Sequence, residues 1–343
     1  MYWNIVFLAT IFACSVNTNC SSCTDSGHIF CVETSACLDA ENVTCDTPIN
    51  VAFNCLTPPR VPYNDTFMRT WVMVLSAAAQ SSNPQICFDN QLATVKLNQV
   101  RTVNCSTDYP DVTCSGFTAY DTKEKAIILS FRGARGENQF DQYDRSAAIN
   151  GTIPFFTNGR VMQFFYDSFM LLWNGGVQQD LLHLIQLYPD YELWITGHSL
   201  GGCLTTLASA YIARTRLFPG DRMRVVAMGA VSIGDLEFVQ YHWDTFPYSF
   251  LIVHSNDPFP MNSAVDKVHN VTLYHPRTTV WYDNYMNPGD LYIICPEADG
   301  PYCNDKANQS DAYIDDHLYY FNIHLPDWGQ DDCPENLTEY QQS

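Results

Sequence analysis

Positive charge is scarce in this sequence: 17 lysines and arginines stand against 37 aspartates and glutamates among 343 residues, a formal charge of −20. Such a balance repels phosphate backbones and anionic membrane surfaces, which argues against nucleic-acid binding and leaves apolar forces for any interfacial attachment. Long hydrophobic runs are also missing. Beyond the first residues no stretch is long and apolar enough to cross a bilayer as a helix, and no internal repeat or low-complexity tract is present. What the chain does contain, 46% hydrophobic and 16% charged residues, suffices for a full core in one large domain, alone or with a small companion.

Residues Trp3 to Ala13 form a short apolar run closed by Ala13-Cys14-Ser15. The expectation is a cleaved secretory leader over residues 1–15, with an N-terminal strand or anchor as the alternative; the segment before the run carries no Lys or Arg. Cysteine usage agrees with export. Of 14 cysteines, Cys14 falls in the leader and Cys203 reads as a buried free thiol, which leaves an even twelve for disulfides and predicts a secreted, extracellular protein. Six of these, Cys20, Cys23, Cys31, Cys37, Cys45 and Cys55, crowd a polar segment, residues 16–58, that cannot hold itself by a core and needs staples. The Cys20-Ser21-Ser22-Cys23 spacing also suits zinc or a redox pair, but the export context favours disulfides, whose pairing the sequence leaves open. Cys295 and Cys303 are expected to close a local loop. Sequons occur at Asn19, Asn42, Asn64, Asn104, Asn150, Asn270, Asn308 and Asn336. Pro58-Pro59-Arg60-Val61-Pro62 reads as a stiff linker into a main domain over residues 59–343.

The main domain is organised around Glu192-Leu193-Trp194-Ile195-Thr196-Gly197-His198-Ser199-Leu200-Gly201-Gly202. An apolar strand stops at a serine boxed by glycines, and helical apolar spacing follows from Cys203 to Ala213. A G-x-S-x-G turn of this kind lifts one hydroxyl onto a strained elbow, so Ser199 is the candidate nucleophile. Before it, Asp65 caps a helical stretch through Ala79; Cys87, Cys105 and Cys114 fall in a connecting region; residues 117–120 and 126–131 read as paired strands. Residues 135–156 show no strong period and fit a lid or an ordinary surface loop equally. A long helix is expected from Val161 to about Tyr188, bent at Gly175-Gly176. Residues 225–228, 250–253, 271–274 and 280–282 read as strands, and Asp315 opens a C-terminal helical turn. The alternation predicts an α/β fold with a mostly parallel central sheet, preceded by a small disulfide-rich segment.

A serine hydroxyl is a weak nucleophile and needs a histidine base, a buried carboxylate to orient it and amide donors for the oxyanion. In α/β-hydrolase order the acid and then the histidine follow the serine. Asp235 and Asp257 both follow strands, position favours Asp257, and His317 and His324 remain equal candidates for the base.

Gly197-His198-Ser199-Leu200-Gly201-Gly202, Phe131-Arg132-Gly133, Asn256-Asp257-Pro258-Phe259-Pro260 and Asp316-His317-Leu318-Tyr319-Tyr320-Phe321, in that order, resemble the fungal-type class 3 lipases and their secreted animal relatives over about Asp65 to Asp332. The resemblance implies an α/β-hydrolase fold, a triad of Ser199, Asp257 and His317, and oxyanion donors in the backbone amides of Ala134 and Leu200. It departs at Ala134, where relatives carry Ser or Thr, and at Phe164, where many carry Gly. The activity implied is cleavage of carboxylic esters, foremost triacylglycerols, through an acyl-enzyme, with a lipid or ester as the partner and neither cofactor nor metal required. The alternatives are a phospholipase A1 or feruloyl-type esterase on the same fold, or a catalytically silent lipid-binding glycoprotein.

Overall fold

A computed structural model describes residues 19–39, 44–106, 109, 111–261, 264–295, 299 and 313–342. The leader 1–15, the sequons at Asn42 and Asn308, and Cys303 lie outside the described residues. The chain divides into two compact units, Met1–Leu56 and Thr57–Ser343.

In the first unit a helical turn, Cys20–Asp25, precedes a three-stranded antiparallel sheet with Ile29–Cys31 at its centre. Disulfides Cys20–Cys55, Cys23–Cys37 and Cys31–Cys45 replace the core that so polar a segment lacks. The Cys20-x-x-Cys23 pair therefore joins two different bridges rather than forming its own.

The second unit is built on eight strands: β1 (Val95–Asn104), β2 (Thr113–Asp121), β3 (Ala126–Phe131), β4 (Glu192–His198), β5 (Met223–Met228), β6 (Tyr248–His254), β7 (Thr279–Tyr282) and β8 (Ile293–Ile294). Their order across the sheet is their order in the chain. Strands β3 to β7 are parallel, and β1, β2 and β8 join antiparallel at the two edges. The parallel strands are apolar runs buried along nearly their whole length, as a sheet covered on both faces requires. On one face Met73–Ala78 packs over Ile128, Trp194, Val226, Met228 and Ile252, tied down by Ser76 Oγ at 3.0 Å from Thr196 Oγ1 and by Ser130 Oγ donating to the Leu75 carbonyl at 3.0 Å. The helix Leu200–Arg214 packs against β3, β4 and β5.

Several elements differ from the sequence expectations. The region from Cys87 to Cys114 is not a mere connection: it contains the helix Pro84–Gln91 and the edge strand β1. A bulge between Leu97 and Gln99 shifts the phase of β1, which hides its alternation from a period-two reading. Residues 135–156 contain a helix, Glu137–Ile149, whose only fully buried side chain is the polar Gln139, so no apolar stripe announces it. The long helix starts at Gln163 rather than Val161, because Arg160–Met162 pairs with Thr152–Pro154; it bends where expected, through a wide turn over Trp173–Val177 with Gly176 at φ 128°. Val271–Thr272 pairs with Val265–Asp266 in a separate hairpin, outside the main sheet. Cys87 bonds Cys333, Cys105 bonds Cys114, Cys295 is also disulfide-bonded, and Cys203 is a buried free thiol whose burial pushes its pKa up to about 12.

Candidate active site

β4 ends at the serine elbow. Ser199 holds φ 58° and ψ −126°, a strained conformation that carries its side chain out of the sheet at the N-terminus of the helix Leu200–Arg214. The flanking glycines are required by space: a Cβ on Gly197 would lie 2.4 Å from the Gly201 carbonyl oxygen, and one on Gly201 2.2 Å from that of Phe131. The turn is fixed further by the Ser199 amide, which donates to the Met228 carbonyl of neighbouring β5 at 2.9 Å.

Asp257 follows β6 and is fully buried. His317 lies in the short helix Ile314–Leu318, buried to 3% exposure. His317 Nε2 is 2.9 Å from Ser199 Oγ, while its Nδ1 is 2.9 and 3.0 Å from the two carboxylate oxygens of Asp257. Burial by itself would raise the Asp257 carboxyl; the His317 ring and its hydrogen bond, the Tyr320 hydroxyl donating at 2.7 Å and the Phe259 amide donating at 3.0 Å reverse this and hold it below the usual carboxylate range. Gly229, at φ +57°, leaves the room this cluster occupies: a Cβ there would meet Asp257 Oδ2 at 2.8 Å and His317 Nδ1 at 3.1 Å.

The choice between His317 and His324 that sequence order leaves open, and the preference for Asp257 over Asp235, meet distinct geometries here. His324 caps the helix Leu325–Gln330 and faces Asp327, and Asp235 caps the helix Leu236–Thr245 by accepting from the Phe238 amide. Neither meets Ser199. Three further residues, to which sequence reasoning gave no role, hold the triad loop. His198 Nε2 donates to the His317 carbonyl at 2.7 Å, His254 Nδ1 donates to the Asp316 carbonyl at 2.9 Å, and Tyr320 bonds Asp257 as above. Their local signal is slight: a histidine beside the nucleophile, another at the end of β6, and a tyrosine three positions after His317.

Ala134 follows β3 and the Phe131-Arg132-Gly133 turn. That turn is fastened to β2 by the Arg132 amide donating to the Ser115 carbonyl at 2.9 Å and by the Arg132 guanidinium donating to Thr113 Oγ1 at 3.0 Å; burial lowers the pKa of that guanidinium to about 10. The Ala134 and Leu200 amides donate no hydrogen bond among the described residues, and both residues line one apolar pocket with Ser199. The pocket's other walls include Phe140 and Tyr143 of the helix Glu137–Ile149, with Phe164, Phe165, Val231 and Phe259. Phe140, 40% exposed, stacks on Phe259 at 5.9 Å, and Phe259 in turn sits 4.2 Å from the His317 ring, centroid to centroid.

Among the described residues one cluster has metal-ligand spacing, Cys31, Glu33 and Cys45, and its two sulfurs are joined to each other. No helix among the described residues is long and apolar enough to cross a membrane.

A parallel sheet with a serine elbow, a histidine and a carboxylate in hydrogen-bonded sequence is the arrangement of an α/β-hydrolase. The model of the family Lipase (class 3) matches residues 128–267. An uncharacterized protein of Caenorhabditis elegans, C40H1.2, is 36% identical over 79% of this chain and 100% of its own length, and Lipase ZK262.3 of the same organism is 28% identical over 84% and 88%. The fold also resembles that of the lipase from Rhizopus microsporus var. chinensis, with a TM-score of 0.61, 21% identity, and coverage of 80% of this chain and 97% of that one. The chain belongs to the class 3 lipase family, a family of lipase-type serine hydrolases.

Proposed function

We propose that the protein is a secreted triacylglycerol lipase working through an acyl-enzyme, with Ser199 as nucleophile, His317 as base, Asp257 as orienting acid and the amides of Ala134 and Leu200 as oxyanion donors. The observation that carries this reading is the unbroken sequence of hydrogen bonds from Ser199 Oγ through the His317 ring to Asp257. His317 takes the serine proton as Oγ attacks the ester carbonyl. Asp257 fixes the tautomer that leaves Nε2 free to accept it and stabilises the imidazolium that forms. Ala134 and Leu200, whose amides donate no hydrogen bond among the described residues, both line the pocket beside the serine, where such amides would receive the carbonyl oxygen as it gathers charge. His317 then protonates the leaving alcohol, and water, deprotonated by the same ring, releases the fatty acid.

Ala134 brings an amide and no hydroxyl to the oxyanion side; one donor of this kind contributes about 2.7–4 kcal/mol, so a slower chemical step than in hydroxyl-bearing relatives is expected. The helix Glu137–Ile149 serves as the lid, and its Phe140 is the side chain offered to a lipid surface. The disulfides of both units suit an oxidising, extracellular location.

The test is hydrolysis of short- and long-chain glycerol esters by the purified protein beside Ser199→Ala, with fluorophosphonate labelling of the serine. Loss of activity and label in the variant, with highest wild-type rates on long-chain emulsions, supports the lipase. Activity confined to soluble short esters makes it a general esterase, and absence of both activity and label makes it a silent member of the fold.

A further inference from the structure

The pocket beside Ser199 is both small and partly borrowed. It is partly open and encloses about 40 Å³ of free volume, where one water needs roughly 10–15 Å³ on the same measure, so its enclosed part holds only a few carbons of an acyl chain. Its fixed side is set by Phe164 and Phe165, which begin the helix Gln163–Leu172 and are nearly fully buried. Its outer side belongs to the lid helix. The Tyr143 ring packs edge-on to Phe164 with centroids 5.6 Å apart and lies tilted against Phe165 at 5.5 Å, and all three line the pocket. The Tyr143 hydroxyl makes no hydrogen bond among the described residues, so packing alone keeps the ring in place. Phe140, one turn earlier, does a different job: it stacks on Phe259, above the His317 ring.

We infer that the lid helix is a wall of the acyl site as well as its cover, and that Tyr143, backed by Phe164, sets the length of acyl chain accepted. With the helix in place the site takes esters of short, straight-chain acids. Long chains enter only when the helix carries Tyr143 away from Phe164 and Phe165. Chain-length preference is therefore a property of the lid's position, and dissolved and emulsified substrates meet two different acyl pockets. The inference rests on the ester-hydrolase reading above.

The experiment uses the full chain and p-nitrophenyl esters of acetate, butyrate, octanoate and dodecanoate, all kept below their aggregation limits so that only the acyl chain varies. For the wild type, kcat/KM should fall by at least roughly tenfold between butyrate and octanoate, the cost of a single methylene that a pocket cannot hold. Tyr143→Ala should raise the octanoate-to-butyrate ratio by about tenfold, and Tyr143→Phe, which restores the ring, should restore the wild-type order. Thermal unfolding and fluorophosphonate labelling of Ser199 report separately that each variant is folded and competent. A labelled, folded Tyr143→Ala with an unchanged chain-length profile overturns the inference, as does a wild type that prefers dissolved octanoate. Absence of hydrolysis and of labelling in the wild type overturns the ester-hydrolase reading, and the inference with it.

Discussion

The ring of His198 holds the backbone of His317: its Nε2–H donates to the His317 carbonyl oxygen across 2.7 Å, and the two rings lie 4.6 Å apart. The residue beside the proposed nucleophile thus positions the residue proposed to activate it. His198→Phe keeps the ring and removes the donor, leaving a buried carbonyl unpaired at a cost of about 1–3 kcal/mol. Where that cost falls on the transition state, kcat drops roughly 5- to 160-fold with little change in KM. His198→Gln, which restores a donor, should recover part of the loss, as read by steady-state kinetics on a soluble ester.

Acid should unfold the protein in part through two buried histidines. Burial, and for His198 also the neighbouring His317, lowers the pKa values of His198 and His242 to about 3, whereas in the unfolded chain each sits near about 6.5. Between these limits the unfolded state binds the proton and the native state does not. Stability is therefore complete above about pH 6.5 and declines as pH falls toward about 3, each histidine contributing up to a tenfold loss in the folding constant per pH unit. Urea unfolding at a series of pH values should show a slope that shrinks by about one proton in His242→Gln.

The chain just past the helix Glu137–Ile149, the proposed lid, is fastened by one carboxylate. Asp266 accepts from the Thr152 amide and hydroxyl and from His269 Nδ1 through Oδ2, and from the Val268 and His269 amides through Oδ1. Burial opposes ionisation, but these bonds outweigh it and bring the pKa down to about 2, so this group's stabilisation is present above about pH 4 and is lost as pH falls toward 2. Asp266→Asn should lose about 1–3 kcal/mol and speed proteolytic cleavage around Asn150 to Thr152, visible by mass spectrometry.

Gly229→Ala should disable the site without removing any proposed triad member. A methyl there meets Asp257 and His317 and forces an L-residue into left-handed backbone, which by itself costs about 1–2 kcal/mol. The expected outcome is kcat reduced by about 100-fold or more with native secondary structure by circular dichroism, because displacement of the acid from the base is an error of geometry.

The bridge between Cys87 and Cys333 spans a sequence separation of 246 residues and ties the helix Pro84–Gln91 to the C-terminal segment. Replacing both cysteines by serine should cost about 2–5 kcal/mol, measured as a lower urea midpoint, and should leave the three bridges of the first unit intact by peptide mapping.

Residues whose role is set by near neighbours along the chain are legible from the amino-acid sequence alone. The elbow is one such case: Gly197, Ser199 and Gly201 fall within five positions, and the space each glycine leaves is taken by the other or by adjacent β3. The parallel strands are another, since burial on both faces leaves an apolar run. What is not legible depends on partners far away. Position cannot rank His317 above His324, because what separates them is that one faces Ser199, 118 residues earlier, while the other faces Asp327 three residues on. The helix Glu137–Ile149 escapes because its anchor is polar: Gln139 accepts from the Arg135 amide and sets its own amide 3.7 Å from both sulfurs of Cys105–Cys114. Strand β1 escapes because its bulge breaks the alternation.

That the strands lie across the sheet in the order of synthesis also sets a timetable. A growing chain completes the elbow at β4 and gains Asp257 after β6, yet it lacks the proposed base until residue 317 has been made and Cys333 can reach back to Cys87. Until then the proposed nucleophile, Ser199, lacks the ring that its hydroxyl faces in the folded protein. If the proposed triad is the catalytic one, a chain assembled in this order cannot hydrolyse an ester while it is unfinished, and its site is complete only when its last segment has folded back.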